Sequence, residues 1–288
     1  MSRIAYVNGR YVPHRNAGVH IDDRGYQFSD GVYEVIAVHQ GQLIDQAGHM
    51  ARLERSLNEL EIAWPVNPRT LEGIFAQLIR RNHVRDGIVY LQITRGVAPR
   101  NHAFPAHNDS ALVITARRGT PFDPDQSRRG VKVITIPEIR WKRRDIKTIS
   151  LLGNCLGKEQ ATRAGAYEAW FVGDDGLITE GTSSNAWIVN AKGVLKTRQA
   201  DSDILNGITR KSVLKISGDL GLEFVEEPFS VAEAKAAQEA FVTSTTSFVK
   251  PVIQIDDDMV ADGKPGKLAT LLLEHYGLHM NRQMVDAP

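Results

Sequence analysis

The chain has 288 residues, 42% of them hydrophobic and 24% charged, and its 35 basic and 34 acidic side chains leave a formal net charge of +1. That balance excludes an intrinsically disordered chain, which lacks the apolar content for a core, and a dedicated nucleic-acid binder, which carries a large basic excess. The single cysteine, Cys155, excludes an internal disulfide and fits a reducing compartment, and no segment approaches the roughly 18 apolar residues of a membrane span, so a soluble cytoplasmic protein without a membrane partner is expected.

Ala5–Val7 and Arg10–Val12 flank Asn8-Gly9, a pair suited to positive φ at both turn positions, which predicts a β-hairpin. Residues 13–31 read as loop, dense in turn formers from Asp22 to Gly31. A strand follows over Val32–Val38, with Tyr33, Val35 and Ala37 on one face and Glu34, Ile36 and Val38 on the other. Tyr33 stands at the mouth of that strand, where it either lines a pocket or joins the core. The spacing of Met50, Leu53, Leu57 and Leu60 predicts a helix over Gln46–Ile62 with Arg52 near its edge, and Pro68 opens a second helix. Gly87–Thr94 is a strand that leads into a loop holding Arg100 and His102. Two residues apart, these point to one side of an extended segment and could grip a carboxylate; plain surface decoration is the simpler reading. Ala111–Ala116 is a further strand. Gly119–Gly130, with two prolines and no apolar period, reads as a linker. The length is near the ~250–300 residues at which single cores split, so we expect domains over residues 1–119 and 131–288, joined by residues 120–130.

The second half opens with a strand over Val131–Ile136 and the run Trp141-Lys142-Arg143-Arg144-Asp145-Ile146-Lys147. Cationic neighbours disfavour an ammonium, which would make Lys147 a carbonyl-directed nucleophile; a solvated basic or nucleic-acid-binding patch is the bland alternative. A helix is expected over Ile149–Ala164, with Ile149, Leu152 and Leu156 inward and Cys155 as a small core residue. Strands over Glu168–Val172, Leu177–Thr179, Ala186–Val189 and Val194–Thr197 form a meander, turning at residues 173–176. Helices follow from Leu205 to about Ser217 and from Ser230 to Glu239, strands over Ala240–Thr243 and Val252–Ile255, and a terminal helix over Lys267–Tyr276. Antiparallel strands mixed with helices in both halves indicate two α+β domains rather than a doubly wound sheet.

No H-x-H, H-E-x-x-H or Cys/His cluster signals a metal site, and neither a dinucleotide nor a Walker loop is present. What remains is Lys147, the acid Glu180, and three polar clusters: Thr182-Ser183-Ser184, Gly207-Ile208-Thr209 at an expected helix N-terminus, and Ser244-Thr245. A helix N-terminus with hydroxyls beside it suits a phosphate, though each cluster alone is more simply a cap or a turn. A nucleophilic lysine, a phosphate cup and one carboxylate are together what pyridoxal 5'-phosphate requires.

Seven pieces carry a resemblance to the class IV, fold-type IV, pyridoxal-phosphate aminotransferases: Asp23–Glu34, His49–Leu53, Thr94–His102, Asp145–Thr148, Thr179–Asn185, Asn206–Arg210 and Val242–Ser247. They run in order over nearly the whole chain. The resemblance implies a small N-terminal α/β domain and a larger, barrel-like C-terminal domain. It makes Lys147 the Schiff-base lysine and Glu180 the partner of the pyridine nitrogen. Arg52, Ile208, Thr209, Ser244 and Thr245 would hold the phosphate, and Leu205 would lie against the ring. Tyr33, Arg100 and His102 match the positions that trap the substrate α-carboxylate in the D-specific branch. There Arg100 and His102 reach the other subunit's site, which implies a homodimer. The implied reaction exchanges an amino group between a D-amino acid of the D-alanine type and a 2-oxo acid of the 2-oxoglutarate type. Branched-chain L-amino-acid and (R)-amine transaminases and aminodeoxychorismate lyases share the fold and are the alternatives. Thr148 departs from the serine common after the lysine, and Asn206 stands where lysine is frequent.

Overall fold

The computed structural model describes residues 3–107 and 109–285, and the chain folds as two units. The first takes residues 1–121 together with 146–150, and the second takes residues 122–145 and 151–288. The expected boundary therefore differs from the observed one in two ways. Residues 122–130 belong to the second unit, and a short return segment that includes Lys147 belongs to the first.

In the first unit β1 (Ile4–Val7) and β2 (Arg10–Pro13) form the hairpin, with Asn8 at φ 42° and Gly9 at φ 87°. Residues 13–31 are not all loop. A short helix α1 (Arg24–Phe28) forms because the Asp23 carboxylate accepts from Gly25 N, and Ser29 closes it at φ 57°. Then come β3 (Gly31–His39), β4 (Gln42–Leu43), α2 (Gln46–Glu59), α3 (Pro68–Arg81), β5 (Gly87–Thr94) and β6 (Ala111–Arg118). The antiparallel sheet has the order β2-β1-β6-β5-β3-β4. Helix α3 starts where the Asn67 side chain caps Arg69 N at 2.9 Å and Pro68 fills the first turn, which needs no backbone donor. Leu53, Leu57, Leu71, Phe75 and Leu78 from the two helices bury against Ile36, Val89, Leu91 and Ile114 of the sheet, each fully covered. Burying such side chains contributes about 1.5–3 kcal/mol apiece. The return segment docks on β3: Tyr33 N donates to Lys147 O at 3.0 Å, Ile149 N donates to Gly31 O at 3.1 Å, and Ile146 enters the core.

The second unit holds α4 (Pro124–Ser127), β7 (Val131–Pro137), α5 (Leu152–Arg163), β8 (Glu168–Val172), β9 (Ile178–Gly181), β10 (Asn185–Val189), β11 (Leu195–Thr197), α6 (Ile208–Asp219), β12 (Phe224–Glu226), α7 (Val231–Lys235), β13 (Glu239–Ser244), β14 (Phe248–Ile255), β15 (Asp258–Met259) and α8 (Lys267–Val285). Its nine-stranded sheet runs β12-β11-β10-β13-β14-β7-β8-β9, with β15 beside β14. Strands β9 and β10 have four strands between them in that order, yet only Thr182–Ser184 connects them. The sheet must therefore curl back on itself, which brings the ends of β9, β10 and β13 together.

Two expectations for α5 are corrected. The helix begins at Leu152 rather than Ile149, and Leu152 and Leu156 face outward, 73% and 50% exposed, with Cys155 exposed beside them. Gly157 and Ala161 face the sheet instead, because the helix approaches so closely that a Cβ on Gly157 would meet Ile136 Cδ1 at 2.8 Å. Helix α7 is shorter than expected and ends at Lys235, and α8 runs past Tyr276 to Val285.

Candidate active site

In the first unit, Lys147 is held by its backbone. Its carbonyl takes the Tyr33 N–H, and its own N–H donates to Ser56 Oγ at 3.3 Å. Its Nζ lies 4.1 Å from the centre of the Tyr33 ring. On the opposite face of β3, Glu34 is 1% exposed and binds Arg52 through two hydrogen bonds, Nε at 2.7 Å and Nη2 at 2.8 Å, with His49 Nδ1 at 2.7 Å. Burial alone would raise the Glu34 carboxyl, but the Arg52 charge and hydrogen bonds, helped by His49, bring it down to about 2. Burial lowers the His49 imidazole against the pull of Glu34, and the Arg52 and Lys147 charges push it the same way as burial. Tyr33 faces Tyr90, ring centres 5.8 Å apart, and burial with that neighbour pushes the Tyr90 phenol up to about 12. Arg100 and His102 lie on the exposed loop after β5, both beside one ring: Phe28 is 5.1 Å from the Arg100 guanidinium and 5.3 Å from the His102 ring.

In the second unit, Glu180 on β9 is buried with three donors around it. Arg140 Nη1 donates to one oxygen at 2.7 Å; Asn185 Nδ2 at 3.1 Å and Leu205 N at 3.0 Å donate to the other. Arg140 is itself gripped by Glu138 through Nε at 2.9 Å and Nη2 at 2.7 Å. Burial pushes the Glu180 carboxyl above its ordinary range against the Arg140 charge, and the negative Glu138 adds to the rise. Glu138 moves the other way, lowered by Arg140 in spite of its own burial. Asn185 also donates to Leu205 O at 2.8 Å, so one amide ties both the carboxylate and the Leu205 backbone. Two residues on, α6 begins after Gly207 with no side-chain cap, placing the amides of Ile208 and Thr209 at an open helix N-terminus. A Cβ on Gly207 would come 2.1 Å from Asn185 Oδ1, so only glycine permits that close start. Ser244 ends β13, and its Oγ pairs with Ser247 Oγ at 2.7 Å; half-buried Thr245 follows in the turn.

The amino-transferase class IV family model matches residues 31–255. The chain belongs to the class IV aminotransferases. It is thereby a pyridoxal-phosphate-dependent enzyme. It is 37% identical over 275 residues to the D-alanine aminotransferase of Staphylococcus haemolyticus, an alignment covering 96% of this chain and 97% of the relative. It is 39% identical to the D-alanine aminotransferase of Listeria monocytogenes, with coverages of 94% and 93%. Among solved structures it resembles the branched-chain aminotransferase of Thermoproteus uzoniensis with norvaline, at TM-score 0.86, 25% identity and coverages of 98% and 96%. The branched-chain amino acid aminotransferase of Escherichia coli has the same fold at TM-score 0.86, 23% identity and coverages of 98% and 95%.

The residues of this aminotransferase fit its cofactor. The uncapped start of α6 suits a phosphate, and the same unit holds a buried carboxylate suited to a ring nitrogen. Within the first unit, the fold gathers Tyr33, Arg52 and Lys147 around the start of β3; Arg100 and His102 stand apart on their loop. Within the second it gathers Glu180 and Leu205 through Asn185. Two arginines of the cationic run expected to act on Lys147 are paired with carboxylates: Arg143 with Asp145 at 3.0 Å, and Arg144 with Asp203 and, at 3.6 Å, with Glu138. Sequence reasoning missed Glu138, Arg140, His49 and Asn185. The alternation Glu138-x-Arg140 at the end of β7 was a usable signal, since two residues apart on extended chain share a side. Trp170 and Trp187 are fully buried core residues, Trp187 stacked on Phe241 at 5.4 Å.

Proposed function

We propose that this aminotransferase moves the amino group of a D-amino acid of the D-alanine type to a 2-oxo acid of the 2-oxoglutarate type, giving pyruvate and D-glutamate. The observation that carries the reading is the Arg100–His102 pair, both set against Phe28 on an exposed loop, a cationic fork suited to an α-carboxylate. The relatives named D-alanine aminotransferase support it over nearly the full length. Lys147 would hold the cofactor, and its Nζ, when free, would carry the proton to and from the substrate Cα. Pyridoxal phosphate, when bound, supplies the carbonyl that takes the amine and a ring that draws off the electron pair left at Cα. Glu180 keeps the ring nitrogen protonated, and Arg140, Asn185 and Leu205 N hold Glu180 in place. Ile208, Thr209, Ser244, Thr245 and Arg52 bind the phosphate, with Leu205 beside the ring. Tyr33, Arg100 and His102 bind the carboxylate and so choose the hand of the substrate.

The enzyme works in the cytoplasm as a homodimer in which the loop of Arg100 and His102 serves the other subunit's site. The outward Leu152 and Leu156 of α5 support such an apolar subunit contact. The test is the half-reaction. D-Alanine, L-leucine and an (R)-arylamine are mixed separately with the enzyme, and loss of the cofactor's yellow band is followed. D-Alanine should convert it fastest; conversion by L-leucine with none by D-alanine would overturn the D-specific reading in favour of a branched-chain enzyme. Lys147→Ala should lower turnover by at least ~10⁴-fold and abolish covalent retention of the cofactor after borohydride. Residual turnover within tenfold would remove Lys147 from that role.

A further inference from the structure

The loop that carries Arg100 and His102 is tied to the body of its unit by a buried guanidinium. Arg24 is 3% exposed, far from the surface position usual for arginine. Its Nε donates to Asp30 Oδ2 at 2.7 Å, and its remaining donors reach three consecutive carbonyls of the loop: Nη1 to Asn101 O at 2.5 Å and Ala103 O at 3.4 Å, Nη2 to His102 O at 3.4 Å. The same Asp30 oxygen accepts from Arg95 Nε at 2.8 Å, and Arg95 lies 3.6 Å from the centre of the Phe104 ring. Arg95 in turn donates to Leu60 O at 2.6 Å and Glu61 O at 3.0 Å, anchoring the group to the end of α2. Where the loop leaves β5, a Cβ on Gly96 would come 1.9 Å from Asp109 O, so the two ends of the loop cross in close contact.

We infer that Arg24, clamped by Asp30, is the positioning residue that sets Arg100 and His102 for the substrate carboxylate, an inference that rests on the carboxylate-trap reading above. A side chain on an exposed loop loses conformational freedom on binding; a loop already fixed avoids part of that loss. The planar fork of arginine is what permits one side chain to hold adjacent carbonyls, and the point charge of lysine cannot repeat the pattern. Asp30 keeps the fork in orientation. It also offsets two buried guanidinium charges that would otherwise be costly.

The experiment is a double-mutant cycle on the holoenzyme. Arg24→Lys should raise KM for D-alanine about tenfold, with kcat within ~3-fold and bound cofactor unchanged by absorbance. In an Arg100→Ala/His102→Ala background the same change should raise KM less than ~2-fold, because the groups it positions are gone. Equal increases in both backgrounds, or no increase in the parent, would overturn the inference. Should Arg24→Lys not fold, Phe104→Ala replaces it; Phe104 is 56% exposed, and losing its stack on Arg95 should raise KM about threefold in the parent only. An unchanged KM for that variant would likewise overturn it. An unaltered KM in Arg100→Ala/His102→Ala itself would instead remove the trap reading on which this one stands.

Discussion

The two units each bury a carboxylate against an arginine, and the two carboxylates respond in opposite directions. Glu34 falls to about 2, whereas Glu180 rises above its ordinary range. Burial acts the same way on both. What differs is the ratio of acids to bases. Glu34 is one acid facing two bases, bound by both Nε and Nη2 of Arg52 and by His49. Around Arg140 two acids share one guanidinium: Glu138 takes the two-pronged grip, with Arg144 a further 3.6 Å from it, while Glu180 receives a single Nη1 bond. The rest of the Glu180 shell is neutral, the Asn185 amide and the Leu205 N–H. A carboxylate that shares its one guanidinium with a second acid and completes its shell with neutral donors is the more ready to share a proton with a partner, as the proposed role beside a ring nitrogen requires. A carboxylate gripped by both donors of one guanidinium and by an imidazole is locked in its charged form, which suits a group that orients an arginine.

This contrast predicts a separation of activity from stability. Glu180→Gln should lower turnover by roughly 10²–10³-fold, the usual cost of removing one preorganised electrostatic partner, while the melting temperature stays within about 2 °C. Arg140 keeps its grip on Glu138 in that variant, so no buried charge is orphaned. Turnover within threefold of the parent would end the case for Glu180 as the ring partner. Glu34→Gln should do the reverse in stability, costing about 3 kcal/mol by removing the buried charge that Arg52 grips through Nε and Nη2, a fall of roughly 6–12 °C read by thermal unfolding. Glu34 is depressed, so its stabilising part is present above its ordinary value of 4.5 and is lost as pH falls toward about 2. The gap between parent and variant should therefore close across that window. Equal losses of stability in the two variants would collapse the distinction between the clusters.

Local features were legible in the sequence because they depend on neighbours. The Asn8-Gly9 turn, the apolar stripes of α2 and α3, and Pro68 at a helix start needed nothing from elsewhere in the chain. Strand pairing at a distance was not legible. Glu138 and Glu180 meet across Arg140 only because β7 pairs with β8 and β8 with β9. Helix α5 departs from its apolar pattern because glycine and alanine allow the close approach to the sheet and the leucines are turned out. The Trp141–Lys147 run suggests electrostatic activation of the lysine; carboxylates that absorb its arginines sit at Asp145, Asp203 and Glu138, two of them far along the chain or across a turn. Lys147 and Glu180 draw notice chiefly through resemblance, since a lysine after an extended run and an acid before a polar run are common.

The finest test of the contrast is His49, the second base of the first cluster. His49→Gln keeps a donor toward Glu34 but changes the count to one acid and one base, and it should cost about 1 kcal/mol at neutral pH. The sign of its pH dependence is what distinguishes a neutral from a charged imidazole. Burial lowers the His49 value below 6.5 in the folded chain. The unfolded chain therefore takes up the proton first as pH falls, and the stability contributed by this group is present above 6.5 and declines below it. Denaturant unfolding at about pH 7.5 and about pH 5.5 should show the parent losing its lead over His49→Gln at the lower value. A lead that widens at the lower pH would mean that the imidazole is held as a cation, and that Glu34 is bound by two full positive charges rather than by one and a dipole.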